Sequence, residues 1–276
     1  MTSLDGIVRF LDCCQVYDLG VPLEVGIPHG PAHSPYLHSL IKKHGQVMYR
    51  DGVSSATDLF SMGTHVGTHI DALGHVSKGG CLHGGIEAAA VQSFLGGMAR
   101  HGAHELPPIV GRGVLLDMPR LLECDILDPD RGIGREELEK AYQKQDIVPQ
   151  PGDSVLIRTG WMRHWPDHER FHAHLCPGVV VEGANWLADQ GARYVGSDTY
   201  AFEKVPASGL PVHVAMLVER GIPIMEMLDL EALARDGVYT FLFIAIPLKI
   251  VGGTGSPIRP VAIAAGRPQG EDESAP

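Results

Sequence analysis

The sequence predicts an α/β domain: a mixed β-sheet flanked by helices. Three observations point there. Strand-like and helix-like segments alternate through the middle and C-terminal parts of the chain. No Pro/Ser-rich linker interrupts them, which favours one domain over a division near residues 105–110 (HELPPIV). The 276 residues, 44% hydrophobic and 20% charged, are enough to bury one large core.

Residues 1–54, with scattered Gly and Pro, read as an N-terminal arm: a short helix, then extended chain and loops. RGVLLDM (112–118) reads as a buried strand. GREELEKAYQKQ (134–145) reads as a solvated helix, with Glu136 and Lys140 spaced for an i,i+4 pair. GDSVLIRTGW (152–161) is expected to be a strand leaving into a loop, and 178–190 a helix closed by Gly191. A strand at 193–198, helices at 211–221 and 229–237, and an apolar run at 239–250 complete the domain, taken as 55–263. The polar residues 264–276 form a tail expected to fray.

Composition excludes several classes of function. Lys and Arg number 22 against 33 Asp and Glu, a net charge of −11. Binding to nucleic acid or to an anionic membrane surface relies on clustered cations, and this chain has no basic block. No apolar stretch reaches the length of a spanning helix. The N-terminus lacks the pattern of a secretory signal, and five cysteines without a CxxC pair suit a reduced, cytoplasmic setting. There is no GxGxxG, no GxxxxGK[ST] and no GxSxG elbow; VGGTGSP (251–257) reads as a Gly-rich turn. Histidine, the commonest metal ligand, is unusually abundant at fifteen.

The informative stretch is SMGTHVGTHIDALGHVSKGGCLHG (61–84). It sets His65, His69, Asp71 and His75 within eleven residues, an imidazole–carboxylate set suited to Zn²⁺ or Mn²⁺. All four share one face of an extended chain. On a helix, Asp71 would stand about 240° from His65. A straight strand, however, holds His65 and His69 roughly 13 Å apart. The chain is therefore expected to turn at Gly67-Thr68, where glycine permits it.

HVGTHIDALGH resembles the HxGTHxDxPxH signature of the cyclase family of metal-dependent hydrolases, which includes bacterial kynurenine formamidase and isatin hydrolase. RGVLLDM, GDSVLIRTGW, YVGSDT and the blocks that follow resemble its longer-chain branch over roughly residues 55–263. The resemblance implies a swivelling β/β/α-like fold, His65, His69 and Asp71 as ligands of the catalytic metal, and His75 as general acid/base. In the formamidase branch a second ion shares the Asp, with a later His and Glu. Here the counterparts are His213 and Glu226, thirteen apart, one more than in that branch. Branches that work with one metal would leave these two to brace the site or contact substrate. The cofactor implied is Mn²⁺ or Zn²⁺, one or two per protomer, in a homodimer or homotetramer. Leu73 replaces the signature Pro, and KGGCLHGG replaces a Tyr-Asn-Gly-like sequence, placing His83 near the site.

The chemistry implied is hydrolysis of a small amide, lactam or imide. Water is activated by the metal, and His75 takes its proton and returns it to the leaving group. Phe60, Trp161, Tyr200 and Phe202 are the candidate pocket residues. An esterase, lactonase, cyclase or dehydratase on the same site is an alternative, as is a metal-binding scaffold without turnover. The histidines at 164, 168, 172 and 174 are expected on an exposed helix or loop, and His29, His33 and His38 at the pocket rim.

Overall fold

The computed structural model describes residues 6, 8, 12–165 and 167–266. The expected short N-terminal helix falls almost wholly outside the described residues, as does the expected tail beyond residue 266.

Nine strands form one sheet. They are β1 (Cys14–Asp18), β2 (His69–Asp71), β3 (Ile109–Asp117), β4 (Ser154–Arg158), β5 (Tyr194–Ser197), β6 (Ile224–Glu226), β7 (Thr240–Ala245), β8 (Gly255–Pro257) and β9 (Val261–Ala265). Their spatial order is β1-β9-β7-β3-β4-β5-β6-β2-β8. β3, β4, β5 and β6 run parallel, and the flanking pairs are antiparallel. The mixed α/β sheet expected from the alternating segments is therefore present.

Burial explains which runs became strands. β4 is buried at every position, as the uninterrupted SVLIR run demands of a central parallel strand. Alternate residues feed two cores. Val114, Leu116, Val155, Ile157 and Ile224 face the helices Arg135–Lys144, Val181–Asp189 and 211–220. Leu115, Leu156, Ile70 and Met225 face the other way, with Leu233 of the helix Glu231–Arg235.

The solvated helix carries Glu136–Lys140 at 2.5 Å and Arg135–Glu139 at 2.7 Å, and Glu137 Oε2 accepts the Gly134 N–H. The helix expected from 178 begins only at Val181: Gly178–Val179 is extended and pairs in parallel with Gly132–Ile133. The 211–221 helix is α-helical only through His213 and continues as a π-helix over Val214–Arg220. Such a widened turn re-aims the side chains at its edge.

Strand pairing crosses both expected domain divisions. β1 is an edge strand of the main sheet, and Leu37–Lys42 pairs with Thr57–Ser61 across the 54/55 division. Ala264 and Ala265, assigned above to the tail, pair with Gln15 and Cys14. Among the described residues, no helix is long and apolar enough to cross a membrane.

Candidate metal centre

β2 and β6 bring the first ligands together by register. His69 stands opposite Glu226, and Asp71 opposite Ile224. Ile70 points into the core, so His69 and Asp71 share the other face, as strand alternation requires. Ahead of β2 the chain turns where the sequence predicts. Gly67 has φ +65°, and Thr68 Oγ1 fixes the turn, donating to Met227 O at 2.6 Å and accepting from Val21 N at 2.9 Å. A Cβ on Gly67 would lie 2.6 Å from Leu23 Cδ2. Gly67→Ala is accordingly expected to cost about 1–2 kcal/mol for the left-handed backbone, before any shift of Leu23. Urea denaturation of the metal-free protein would measure it; an unchanged midpoint would mean that the turn tolerates a side chain.

Two imidazoles and two carboxylates meet in the interior. His69 Nε2 lies 3.5 Å from Asp71 Oδ1 and 3.4 Å from Glu226 Oε2. His213 Nε2 lies 3.5 Å from Asp71 Oδ2 and 3.2 Å from Glu226 Oε1. Each carboxylate thus turns one oxygen to each ring. Ligands bonded tetrahedrally at about 2.0–2.1 Å stand about 3.3–3.4 Å from one another, so these separations are those of groups sharing a cation. His69 Nδ1 is within 2.8 Å of the Gly67 carbonyl, which fixes that nitrogen as the donor and leaves Nε2 its lone pair. His69 Nε2 and Asp71 Oδ2 are buried without a hydrogen-bond partner. Orphaned buried polar atoms are rare in folded proteins, and a cation satisfies these two. The residues fit a divalent metal in two overlapping groups: His65, His69 and Asp71; and Asp71, His213 and Glu226.

The electrostatics agree. Burial alone would raise Glu226, but His213 and His69 hold it down at about 2. Burial would likewise lower His69, yet Asp71 and Glu226 raise it to about 10. Positive charge is what this cluster demands, whether from protons or from a metal.

His65 is placed differently from the other predicted ligands. Its Nδ1 is 2.6 Å from Asp71 Oδ1, a hydrogen-bond length, and its Nε2 is 2.9 Å from Thr254 Oγ1. It reaches an ion only by exchanging one of these partners. The Gly-rich turn supplies Thr254, and its Gly255 lets the backbone pass His65 so closely that a Cβ would sit 2.6 Å from Cε1. His75 stacks on His65 with ring centroids 4.0 Å apart and lies 6.2 Å from the His213 ring. Burial, reinforced by His65 and His213, lowers its pKa to about 4 despite Asp71, so the ring is a neutral base at pH 7.

The predicted pocket residues separate. Trp161 and Phe202 are core side chains, which corrects the expectation that their rings line a pocket. The Trp161 Nε1–H is satisfied by Phe171 O at 2.9 Å, which makes full burial tolerable. Phe202 serves the site through its backbone, its N–H donating to Glu226 Oε1 at 2.8 Å. Phe60 is exposed on the Thr57–Ser61 strand, stacked near Tyr36. Tyr200 is half-buried, and its hydroxyl donates to Ala173 O. His83 pairs with Val218 O, on the π-helix. His33 reaches the centre, its ring 5.2 Å from that of His65.

The 164–174 histidines are not all exposed. His164 is buried edge-on against Trp161, and His172 stacks on Tyr200 at 4.5 Å. Burial, helped by His29, His33 and His168, lowers His172 to about 4. The unfolded chain takes up this proton near the ordinary value of 6.5, the folded chain only near 4, so stability is lost as pH falls between those values. His172→Gln is expected to shrink the fall in Tm between pH 7 and pH 5 by about 2 °C, allowing for partial exposure. An unchanged difference would assign the acid sensitivity elsewhere.

Glu203 was not singled out from the sequence. It is buried, with Oε1 3.2 Å from His213 Nδ1 and Oε2 accepting the Val212 N–H at 2.6 Å. A lone acidic residue in AFEKVP carries no spacing that would mark it.

Fold and cluster together define an α/β metal-binding protein with a two-carboxylate centre at one end of its sheet. The chain belongs to the cyclase family, whose "Cyclase" model matches residues 17–204. It is 26% identical over 249 residues to a kynurenine formamidase of Bacillus thuringiensis (strain Al Hakam), covering 88% of this chain and 95% of that protein. It is 27% identical over 219 residues to cyclase-like protein 3 of Oryza sativa subsp. japonica, covering 78% and 68%. A crystal structure described as a novel cyclase superposes with a TM-score of 0.84 at 30% identity, covering 92% of this chain and 88% of that one. Isatin hydrolase A from Ralstonia solanacearum shares the fold, with a TM-score of 0.73 at 23% identity over 96% and 98% of the two chains.

Proposed function

We propose that this protein is a metal-dependent hydrolase that cleaves the carbon–nitrogen bond of a small amide, lactam or imide. The observation that carries the reading is the juxtaposition of a neutral, half-buried His75 with a ligand cluster whose His69 Nε2 and Asp71 Oδ2 have no hydrogen-bond partner. His69, Asp71, His213 and Glu226 would hold the metal, with His65 joining by releasing Asp71 or Thr254. Nitrogen and oxygen donors without sulfur suit Mn²⁺ or Zn²⁺. When bound, the cation supplies Lewis acidity, which lowers the pKa of a water and polarises a carbonyl.

The protein's own groups do the rest. His75 accepts the proton of the attacking water and delivers it to the departing nitrogen, which would otherwise leave as a poor anion. Thr68 holds the ligand turn, and Phe202 N–H orients Glu226. His33 and His172 belong to the approach to the centre. The named activities of the kynurenine formamidase relatives support an N-formylated arylamine as first substrate to test. Isatin tests the lactam alternative.

The protein is proposed to act on small molecules, in the cytoplasm, as a homodimer or homotetramer, without nucleic-acid or membrane partners. Leu40, Ile41, Leu59 and Phe60, exposed on one hairpin, support self-association. The deciding experiment is elemental analysis of protein purified without chelator, paired with hydrolysis of both substrates before and after chelation and re-addition of Mn²⁺ or Zn²⁺. Metal-restored hydrolysis is expected. A fully loaded protein that hydrolyses neither compound nor their ester analogues would leave the metal-binding scaffold as the better reading.

A further inference from the structure

A cavity of about 240 Å³ opens beside the loop that joins Asp71 to His75, with Leu73 in its wall. Neither His75 nor any proposed metal ligand lines it. Leu106, Pro107 and Pro223 extend the apolar wall, and Arg193 and Glu105 add one charge of each sign. Both charged residues are exposed, which sets them at the rim. Among the described residues Arg193 has no salt-bridge partner; its guanidinium lies over the Tyr194 ring, 5.7 Å from the centroid. Glu105 Oε2 accepts the His101 N–H at 3.1 Å. Two departures from the cyclase signature meet here. Leu73 stands in place of the signature Pro. His83, in the KGGCLHGG segment, accepts the His101 Nε2–H on its carbonyl at 3.0 Å, and its ring packs so closely that a Cβ on Gly221 would lie 2.6 Å from Nε2. His101 and Gly221 both line the cavity. His101 has φ +61°, and its carbonyl accepts the Gly74 N–H at 2.8 Å, which ties the cavity wall to the Asp71–His75 loop.

We propose that this cavity is an effector site for a small α-amino acid with an apolar side chain. Its carboxylate would meet Arg193, its ammonium Glu105, and its side chain Leu73, Leu106, Pro107 and Pro223. The site itself is independent of the reaction catalysed; its effect on turnover rests on the hydrolase reading above. The volume falls just under the roughly 300–1,000 Å³ of sites that take drug-sized ligands, so the occupant is small. The two rim charges decide its class. A simple anion satisfies the guanidinium but faces the Glu105 carboxylate, and a simple cation faces Arg193. A ligand that carries both charges on adjacent atoms gives each rim group its opposite, through charge-assisted hydrogen bonds. The apolar wall then favours an apolar side chain, which leaves water on binding. Leu73 lies two residues from Asp71 and two from His75, so an occupant pressed against it bears on the placement of the acid/base. A proline at 73 would lock φ, whereas leucine leaves the loop free to respond to what fills the cavity.

The test is calorimetric titration of L-phenylalanine into the full-length protein, as purified and after chelation. Phenethylamine, which lacks the carboxylate, and hydrocinnamate, which lacks the ammonium, are the comparison ligands. Wild type is expected to bind one L-phenylalanine per protomer, alike with and without metal, and each comparison ligand about 10-fold or more weakly. R193Q should weaken L-phenylalanine by a similar factor and leave phenethylamine no weaker. E105Q, which keeps an acceptor for the His101 N–H, should weaken L-phenylalanine and leave hydrocinnamate no weaker. Saturating L-phenylalanine should change the kcat of wild type by about twofold or more, at constant metal content, and leave that of R193Q unmoved. Absence of saturable binding would overturn the site, as would binding that disappears on chelation or wild-type affinity in both variants. Binding that leaves the wild-type kcat unchanged would overturn the effector role. Charge-dependent binding by a protein that hydrolyses nothing would support the site while overturning the hydrolase reading.

Discussion

Asp71→Asn is expected to empty the centre and to lower kcat/KM by about 10³-fold or more, because Lewis-acid activation leaves with the metal. Asp71 is the group both ligand sets share, turning Oδ1 towards His69 and Oδ2 towards His213. Burial by itself would raise its pKa, but the imidazoles of His75, His213 and His65 hold the carboxyl well below the usual range. The asparagine is nearly isosteric, so the fold should persist. What disappears is the negative charge that offsets a buried dication, and one oxygen becomes an NH₂ aimed at it. Elemental analysis and steady-state kinetics on the same preparation check the result. A D71N protein that keeps its full metal complement would remove Asp71 from the ligand set.

His75→Ala separates metal from turnover. The ring stacks on His65 but lies outside both ligand groups, so the variant is expected to retain wild-type metal content. Loss of a positioned acid/base typically costs about 10²–10⁴-fold, and kcat should fall by that range. Because burial keeps His75 neutral down to about pH 4, the base form needs no activation at neutral pH. Retention of full kcat would transfer the proton-handling role to another group. Together the two variants distinguish a ligand from a base: D71N loses metal and rate, H75A rate alone.

Much of this arrangement is legible in local sequence, because short-range geometry decides it. Strand alternation places His69 and Asp71 on one face. The need to bring His65 nearer requires a turn, and Gly67 supplies it with a positive φ. The runs around Leu115, Leu156 and Val195 become strands because only a sheet buried on both faces accommodates them. What local sequence does not contain is registry between distant segments. His213 and Glu226 enter through family resemblance, whereas Glu203, Thr254 and Gly255 become visible only once β2, β6 and β8 lie side by side. For Trp161 and Phe202 the pocket expectation gives way because both rings turn into the core, where Phe171 O accepts the Trp161 indole N–H and lets that ring be fully buried. The polar context of 164–174 suggested an exposed helix or loop, but contacts with Trp161 and Tyr200 draw two of these rings inward.

The antiparallel pairing of β2 with β6 has a consequence for biosynthesis. His69 faces a partner made much later: until Glu226 has left the ribosome, the growing chain carries one bank of ligands and lacks the other. Contacts so distant in sequence form late, after the intervening strands have docked. The group Asp71, His213 and Glu226 is therefore expected to be complete only in the finished pocket, where metal binding adds to the stability of the mature protein. Chains synthesised under metal starvation should accordingly accumulate as folded protein, ready to be loaded afterwards.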